Sequence, residues 1–236
     1  MRYEGQFTPP SVRGSLVYPA NAGLFSWGGV AIDPVRKLLI ANTTHTPFVS
    51  TVIPRAQADR MGLDKPINSP RVPAKGPRTE SAFGYPQVGA PYAARTVPFL
   101  SPLGVPCMAP PWGRISVIDL NSAKLLWSKP FGTSTDTGPF GSHFGPPLTI
   151  GVPNAGGAVA LASGVFFIAA SQDQYLRAFA SQTGRELWRA RLPAGGQSSP
   201  MTYRAPDGRQ FLVIVAGGHQ GLNTRVGDYV LGYALR

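Results

Sequence analysis

Two stretches of this chain recur without a gap at a distance. GGVAIDPVRKLLIAN (Gly28 to Asn42) aligns with GGAVALASGVFFIAA (Gly156 to Ala170), and RISVIDLNSAKLLW (Arg114 to Trp127) aligns with YLRAFASQTGRELW (Tyr175 to Trp188). The inner part of the second segment returns a third time as DYVLGYAL, Asp228 to Leu235. Separated self-similarity of this kind is the mark of a repeated supersecondary unit. Within the unit, Ala158 to Leu161 and Val165 to Ala169 are short apolar runs divided by Ser163-Gly164. Tyr175 to Phe179 is a third run, and Thr183-Gly184 turns the chain into Glu186-Leu187-Trp188. Four short strands in about forty residues form one blade of a β-propeller.

Composition agrees with many short strands. Gly 28 and Pro 25 in 236 residues favour turns over helices, and no helical period exceeds two turns. No apolar run reaches the roughly 18 residues that a membrane-spanning helix needs. MRYEGQFTPPSVRG at the start has no apolar signal core, so as written the sequence is expected neither to insert in a membrane nor to export itself. The single Cys107 excludes an intrachain disulfide and a multi-cysteine metal site. A formal charge of +11 reads as a solvated basic surface or as attraction to an anionic partner. Lys and Arg are scattered and form no stripe with aromatic platforms, so nucleic acid is not expected as a partner.

The expected fold is all-β. Residues 1–24 are a lead-in with a short strand at Gly14 to Tyr18, and residues 25–131 are a blade. That blade is interrupted at 43–111 by one long, proline-rich, irregular insertion, with one or two helical turns at Arg55 to Met61. Residues 132–153 connect to a second blade at 154–193, and 194–236 make an incomplete third. The total is about two and three-quarter blades, fewer than the four or more that close a ring. Further blades, from the same polypeptide or another chain, are the expected partner.

Few residues stand out for chemistry. Asn42 closes the second strand of its blade, where a carboxamide can donate to and accept from a polar ligand, although, taken alone, a turn-forming role explains it better. His45 reads as a surface loop residue. Asp136 and His143 lie in a glycine-rich connection without a metal-binding or acid–base spacing, and read as turn residues.

The motifs WGGVAIDPVRKLLIAN, FLSPLGVPCMAPPWG, DTGPFG, QDQYLRAF, ELWRARLPAGGQSSPMTY and GDYVLGYAL resemble, in order, the C-terminal part of the membrane-bound glucose/quinate/shikimate group of pyrroloquinoline quinone (PQQ) dehydrogenases. The resemblance implies an eight-bladed propeller on the periplasmic side of the inner membrane, with PQQ and a Ca or Mg ion on its axis. It implies oxidation of a sugar or cyclic polyol (glucose, quinate or shikimate) with an Asp as base, and electrons passed to ubiquinone. The catalytic Asp and a PQQ-contacting Lys belong to blades outside this sequence, so the chain by itself is expected to be inactive. By the same resemblance Asn42, Asn154, Ala155 and His219 are cofactor-binding positions, no metal ligand is assigned, and Trp127 and Trp188 are docking tryptophans. Ala123 and Ala180 replace the Gly and Asp common in the docking motif. The competing expectations are a non-catalytic propeller module that binds a partner or self-assembles, and a truncated relic.

Overall fold

A computed structural model describes residues 1–5, 7–19, 24–66, 84–139 and 142–234. They form two compact units, Met1–Asn21 with Thr46–Leu100, and Ala22–His45 with Ser101–Arg236.

The larger unit holds three antiparallel meanders. In the first, strands β2 (Val30–Asp33), β3 (Leu38–Thr44), β7 (Gly113–Asp119) and β8 (Lys124–Pro130) lie in that order. The second runs through β9 (Ala158–Ala160), β10 (Val165–Ile168), β11 (Tyr175–Ala180) and β12 (Glu186–Arg191). The third has β13 (Met201–Arg204), β14 (Gln210–Ala216) and β15 (Tyr229–Ala234), and among the described residues no fourth strand. The repeat seen in the sequence is exact enough to include an irregularity. A bulge interrupts β7–β8 pairing between Val117 and Ile118, and β11–β12 pairing at the aligned Ala178 and Phe179. These sheets are blades of an all-β partial propeller.

Strand alternation explains how the sheets stack. Successive side chains of β10 point to opposite faces. Phe166 and Ile168 join Leu38, Ile40, Ile115, Val117 and Phe131 of the first sheet in one core. Phe167 and Ala169 join Leu212, Ile214 and Ala216 of the third sheet in another. The middle sheet therefore buries apolar side chains on both faces, and the first strands β2 and β9 lie against each other. Asp33, fully buried at the β2 turn, accepts the amides of Val35 and Arg36 at 3.1 and 3.0 Å. Its partner Arg36 reaches the Ala162 carbonyl in the next sheet at 2.8 Å.

The last strand of the first sheet is docked by Trp127. Its indole N–H donates to the Ser181 carbonyl at 2.9 Å, and its ring stacks near Phe166. The ring covers the turn at Gly184, where φ is +68° and a Cβ would lie 2.9 Å from the indole. Lys129 lies over the Phe179 ring at 4.3 Å and donates to the Gly184 carbonyl. Trp188, its counterpart one sheet on, packs edge-on against Phe167 and Tyr233 and is 39% exposed.

The smaller unit corrects one expectation. The stretch 43–111 is not one irregular insertion. It carries β4 (Phe48–Pro54), α1 (Arg55–Arg60), β5 (Gly84–Tyr85) and β6 (Tyr92–Pro98). With β1 (Ser15–Val17) from the lead-in they build a fourth sheet in the order β1-β4-β6-β5. The runs FVSTVIP and YAARTVP are rich in β-branched residues, which suit a pleated surface, and they pair over seven residues although about forty separate them in sequence. Ala58 of α1 packs with Ile53, Leu63 and Ala93. The Arg55 guanidinium gathers the carbonyls of Leu63, Pro86, Gln87, Ala90 and Tyr92 at 2.6–3.1 Å, tying the loop around β5 to the sheet.

Candidate functional site

In the larger unit, antiparallel pairing brings the start of β2, the end of β3, the start of β9, the start of β13 and the end of β14 to one end of their sheets. The four positions singled out for cofactor binding lie on β3 and on loops at this end. Asn42 is not the strand terminus, as expected from sequence. It sits two residues inside β3, opposite Ile115, and is 4% exposed.

Asn42 and Asn154 meet across two sheets. Asn42 Nδ2 donates to Asn154 Oδ1 at 2.7 Å and to the Gly156 carbonyl at 3.1 Å. Asn154 Nδ2 donates in turn to the Thr43 carbonyl at 2.9 Å. Thr44 grips the Asn154 backbone on both sides: its hydroxyl donates to the Asn154 carbonyl at 2.8 Å and accepts the Asn154 amide at 3.0 Å. Ala155 is buried, and its amide donates to the Ala170 carbonyl at 3.0 Å. The main chain packs closely here. A Cβ on Gly28 would overlap the Gly156–Gly157 peptide, so only glycine allows β2 and β9 to begin side by side.

Gly28 carries the site onward to Trp27, whose ring lies 5.1 Å from the His219 ring at an angle of 32°. Trp27 is 63% exposed. The His219 backbone amide donates to Thr224 Oγ1 at 2.7 Å, and that hydroxyl donates to Gln197 Oε1 at 2.8 Å. Gln197 Nε2 is anchored on the Ser171 carbonyl at 3.1 Å. The His219 ring packs against Trp27. Its Nδ1 is buried and has no hydrogen-bond partner among the described residues, and burial lowers the imidazole pKa below the ordinary histidine value. Asn42, Asn154 and Ala155 thus form one junction, linked through Gly156, Gly28 and Trp27 to His219.

Beneath this end lies a buried ionic network that the spacing of the sequence did not disclose. Asp173, fully buried, accepts the Thr133 amide at 2.7 Å, the Thr133 hydroxyl at 2.9 Å and the Ser171 hydroxyl at 2.6 Å. Arg177 grips both of its oxygens. Burial works to raise the Asp173 pKa, but Arg177, Ser171 and Thr133 together hold it below the ordinary carboxylate value. Asp136, read from sequence as a turn residue, is paired bidentately with Arg191 at 2.5 and 2.6 Å. The signal was weak: Arg177 stands in a strand of the repeat, and an arginine buried in an inter-sheet face demands a carboxylate, whereas Arg191 is exposed and gave no such signal. His45, expected on the surface, is half-buried with Nε2 3.0 Å from Thr43 Oγ1, and burial and then Arg114 lower its pKa. His143 is exposed. Phe140 and Gly141 of the DTGPFG motif, and Leu235 of the last repeat, lie outside the described residues. No group of three or more His, Cys, Asp or Glu side chains that could hold a metal occurs among the described residues.

Comparison with known proteins accounts for the sheets and the repeat together. A family described as the glucose/ethanol/alcohol dehydrogenase β-propeller domain, with PQQ, matches residues 1–212. Quinoprotein glucose dehydrogenase of Escherichia coli (strain K12) is 48% identical over 235 residues, covering 100% of this chain and 28% of that protein. Quinate/shikimate dehydrogenase (quinone) of Acinetobacter baylyi is 38% identical, again over 100% of this chain and 28% of the relative. The chain therefore spans a little over a quarter of the length of these relatives. Among solved structures, quinohemoprotein alcohol dehydrogenase from Comamonas testosteroni shares the fold with a TM-score of 0.52 at 20% identity, over 92% of this chain and 27% of that one. No helix among the described residues is long and apolar enough to cross a membrane. By the match over residues 1–212 and the blade architecture, this chain belongs to the PQQ-dependent glucose/ethanol/alcohol dehydrogenase β-propeller family.

Proposed function

We propose that this chain supplies part of the propeller and one wall of the cofactor pocket in a PQQ-dependent dehydrogenase that oxidises a sugar or cyclic polyol and passes electrons to ubiquinone on the periplasmic side of the inner membrane. The observation that carries this reading is the set of unsatisfied groups at one end of adjacent blades. Among the described residues His219 Nδ1 is buried without a partner, the exposed Trp27 ring lies beside it, and the Asn42 carboxamide, with both N–H groups engaged, has only its oxygen left to offer. An open carbonyl oxygen, an orphaned ring nitrogen and a flat indole suit a planar quinone with a divalent Ca or Mg ion.

When bound, PQQ is the acceptor of the hydride removed from the substrate's alcohol carbon. This chain's own residues bind and orient. Asn42 offers an oxygen to the cation or to a ring N–H. His219, whose pKa burial lowers, offers one ring nitrogen. Asn154 has its polar groups committed within the protein, the Ala155 amide is taken by the Ala170 carbonyl, and both residues shape the wall. The base that takes the substrate's hydroxyl proton is an Asp in blades beyond this sequence. The net charge of +11 favours a tricarboxylate cofactor.

The bare faces of the outer sheets support the same reading. Val30 and Ile32 on the first sheet and Met201, Tyr203 and Val230 on the third are exposed, and further blades would cover them. The test is turnover with PQQ and calcium on glucose, quinate and shikimate. The expected result is activity in the polypeptide that carries this sequence within a complete propeller, and none in the purified 236-residue chain. Turnover by the 236-residue chain alone would sink the reading.

A further inference from the structure

We infer that Asn154 is a positioning residue that fixes which atom of Asn42 faces the pocket, so that Asn42 presents an oxygen and never an amide hydrogen. The inference rests on the reading of Asn42 as a cofactor or cation contact and adds a cause for its polarity. A carboxamide can be turned end for end with little change in shape, and its neighbours decide between the two orientations. Here they decide without ambiguity. One N–H of Asn42 meets the Gly156 carbonyl, a backbone group that can only accept. The other meets Asn154 Oδ1, and Asn154 is itself fixed because its Nδ2 meets the Thr43 carbonyl, again an obligate acceptor.

Two backbone carbonyls thus set the orientation of both side chains. Turning Asn42 over would set its oxygen against the Gly156 carbonyl and against Asn154 Oδ1. Turning Asn154 over would set its oxygen against the Thr43 carbonyl. Thr44, bonded to both the amide and the carbonyl of Asn154, holds the relay in register. A carboxamide locked as an acceptor suits a divalent cation or an N–H, and discriminates against a carboxylate or quinone oxygen at the same place.

The test is calcium titration of PQQ binding, followed by the absorbance of the quinone, in the complete polypeptide carrying this sequence. Asn42→Ala, Asn154→Ala and the double variant form a cycle, with Thr44→Val as a milder second probe should Asn154→Ala fail to fold. Loss of an orienting partner is expected to weaken calcium-dependent binding about tenfold to a hundredfold. In the Asn42→Ala background, Asn154→Ala or Thr44→Val should cost nothing further, because their effect runs through the missing side chain. A cost that persists undiminished in that background would mean a general structural role and would overturn the inference. If Asn42→Ala weakens binding and Asn154→Ala and Thr44→Val do not, the contact stands and the positioning falls. If Asn42→Ala leaves binding unchanged, both fall.

Discussion

The indole N–H of Trp127 bonds to the carbonyl of Ser181, 2.9 Å away in the neighbouring sheet, whereas Trp188 makes no such bond among the described residues. Trp127→Phe keeps apolar cover but strands the Ser181 carbonyl, and is expected to cost about 1 kcal/mol in denaturant unfolding. Trp127→Ala also empties the space over Gly184 and should cost ~3 kcal/mol. Trp188→Phe in the 236-residue chain should stay within about 0.5 kcal/mol of the parent.

The two aligned turns offer a contrast at one backbone conformation. Ala123 and Gly184 both have positive φ, +54° and +68°. Ala123 is exposed, so Ala123→Gly relieves a left-handed alanine and should stabilise by about 1 kcal/mol. Gly184→Ala adds the same strain and drives a methyl into the Trp127 ring. It should destabilise by more than 1 kcal/mol. Urea midpoints of the two variants should move in opposite directions.

Asp173 ties stability to pH. Its folded pKa is depressed, by Arg177, Ser171 and Thr133 acting against burial, so the unfolded chain binds its proton more readily. The stabilisation is complete above the unfolded carboxyl value of about 3.9 and is lost as pH falls through that value toward the lower folded one. Unfolding free energy measured between about pH 3 and 7 should fall on the acid side. In Asp173→Asn that limb should flatten, with lower stability at neutral pH because the buried Arg177 loses its bidentate partner and keeps only the Glu186 carboxylate, 3.5 Å away.

Arg55 is expected to hold the smaller sheet. Arg55→Ala removes the donor shared by five carbonyls and should cost roughly 2 kcal/mol, seen as faster amide exchange in β5 and β6. Arg55→Lys should not rescue it, because a point-like ammonium cannot span the fork that the guanidinium fills.

The repeat made the two complete blades and the incomplete third legible, down to the hairpin at Asp33-Pro34 and the docking strands. Repetition shows only what is repeated. The sheet β1-β4-β6-β5 occurs once, and its central strands are joined through proline-rich sequence, so FVSTVIP and YAARTVP passed for loop. The candidate site was legible only through resemblance. Asn42 and Asn154 are 112 residues apart, and nothing in their spacing announces that β3 and the loop before β9 bring them within 2.7 Å. The same distance blindness hid Asp136 from Arg191. Charged pairs across neighbouring blades are set by stacking, which local sequence does not encode.

The most direct test of the account is native mass spectrometry of the polypeptide captured from cell membranes by an antibody to this sequence. The account predicts a species several times heavier than 25.0 kDa that carries PQQ. A free 25.0 kDa chain without PQQ would contradict it.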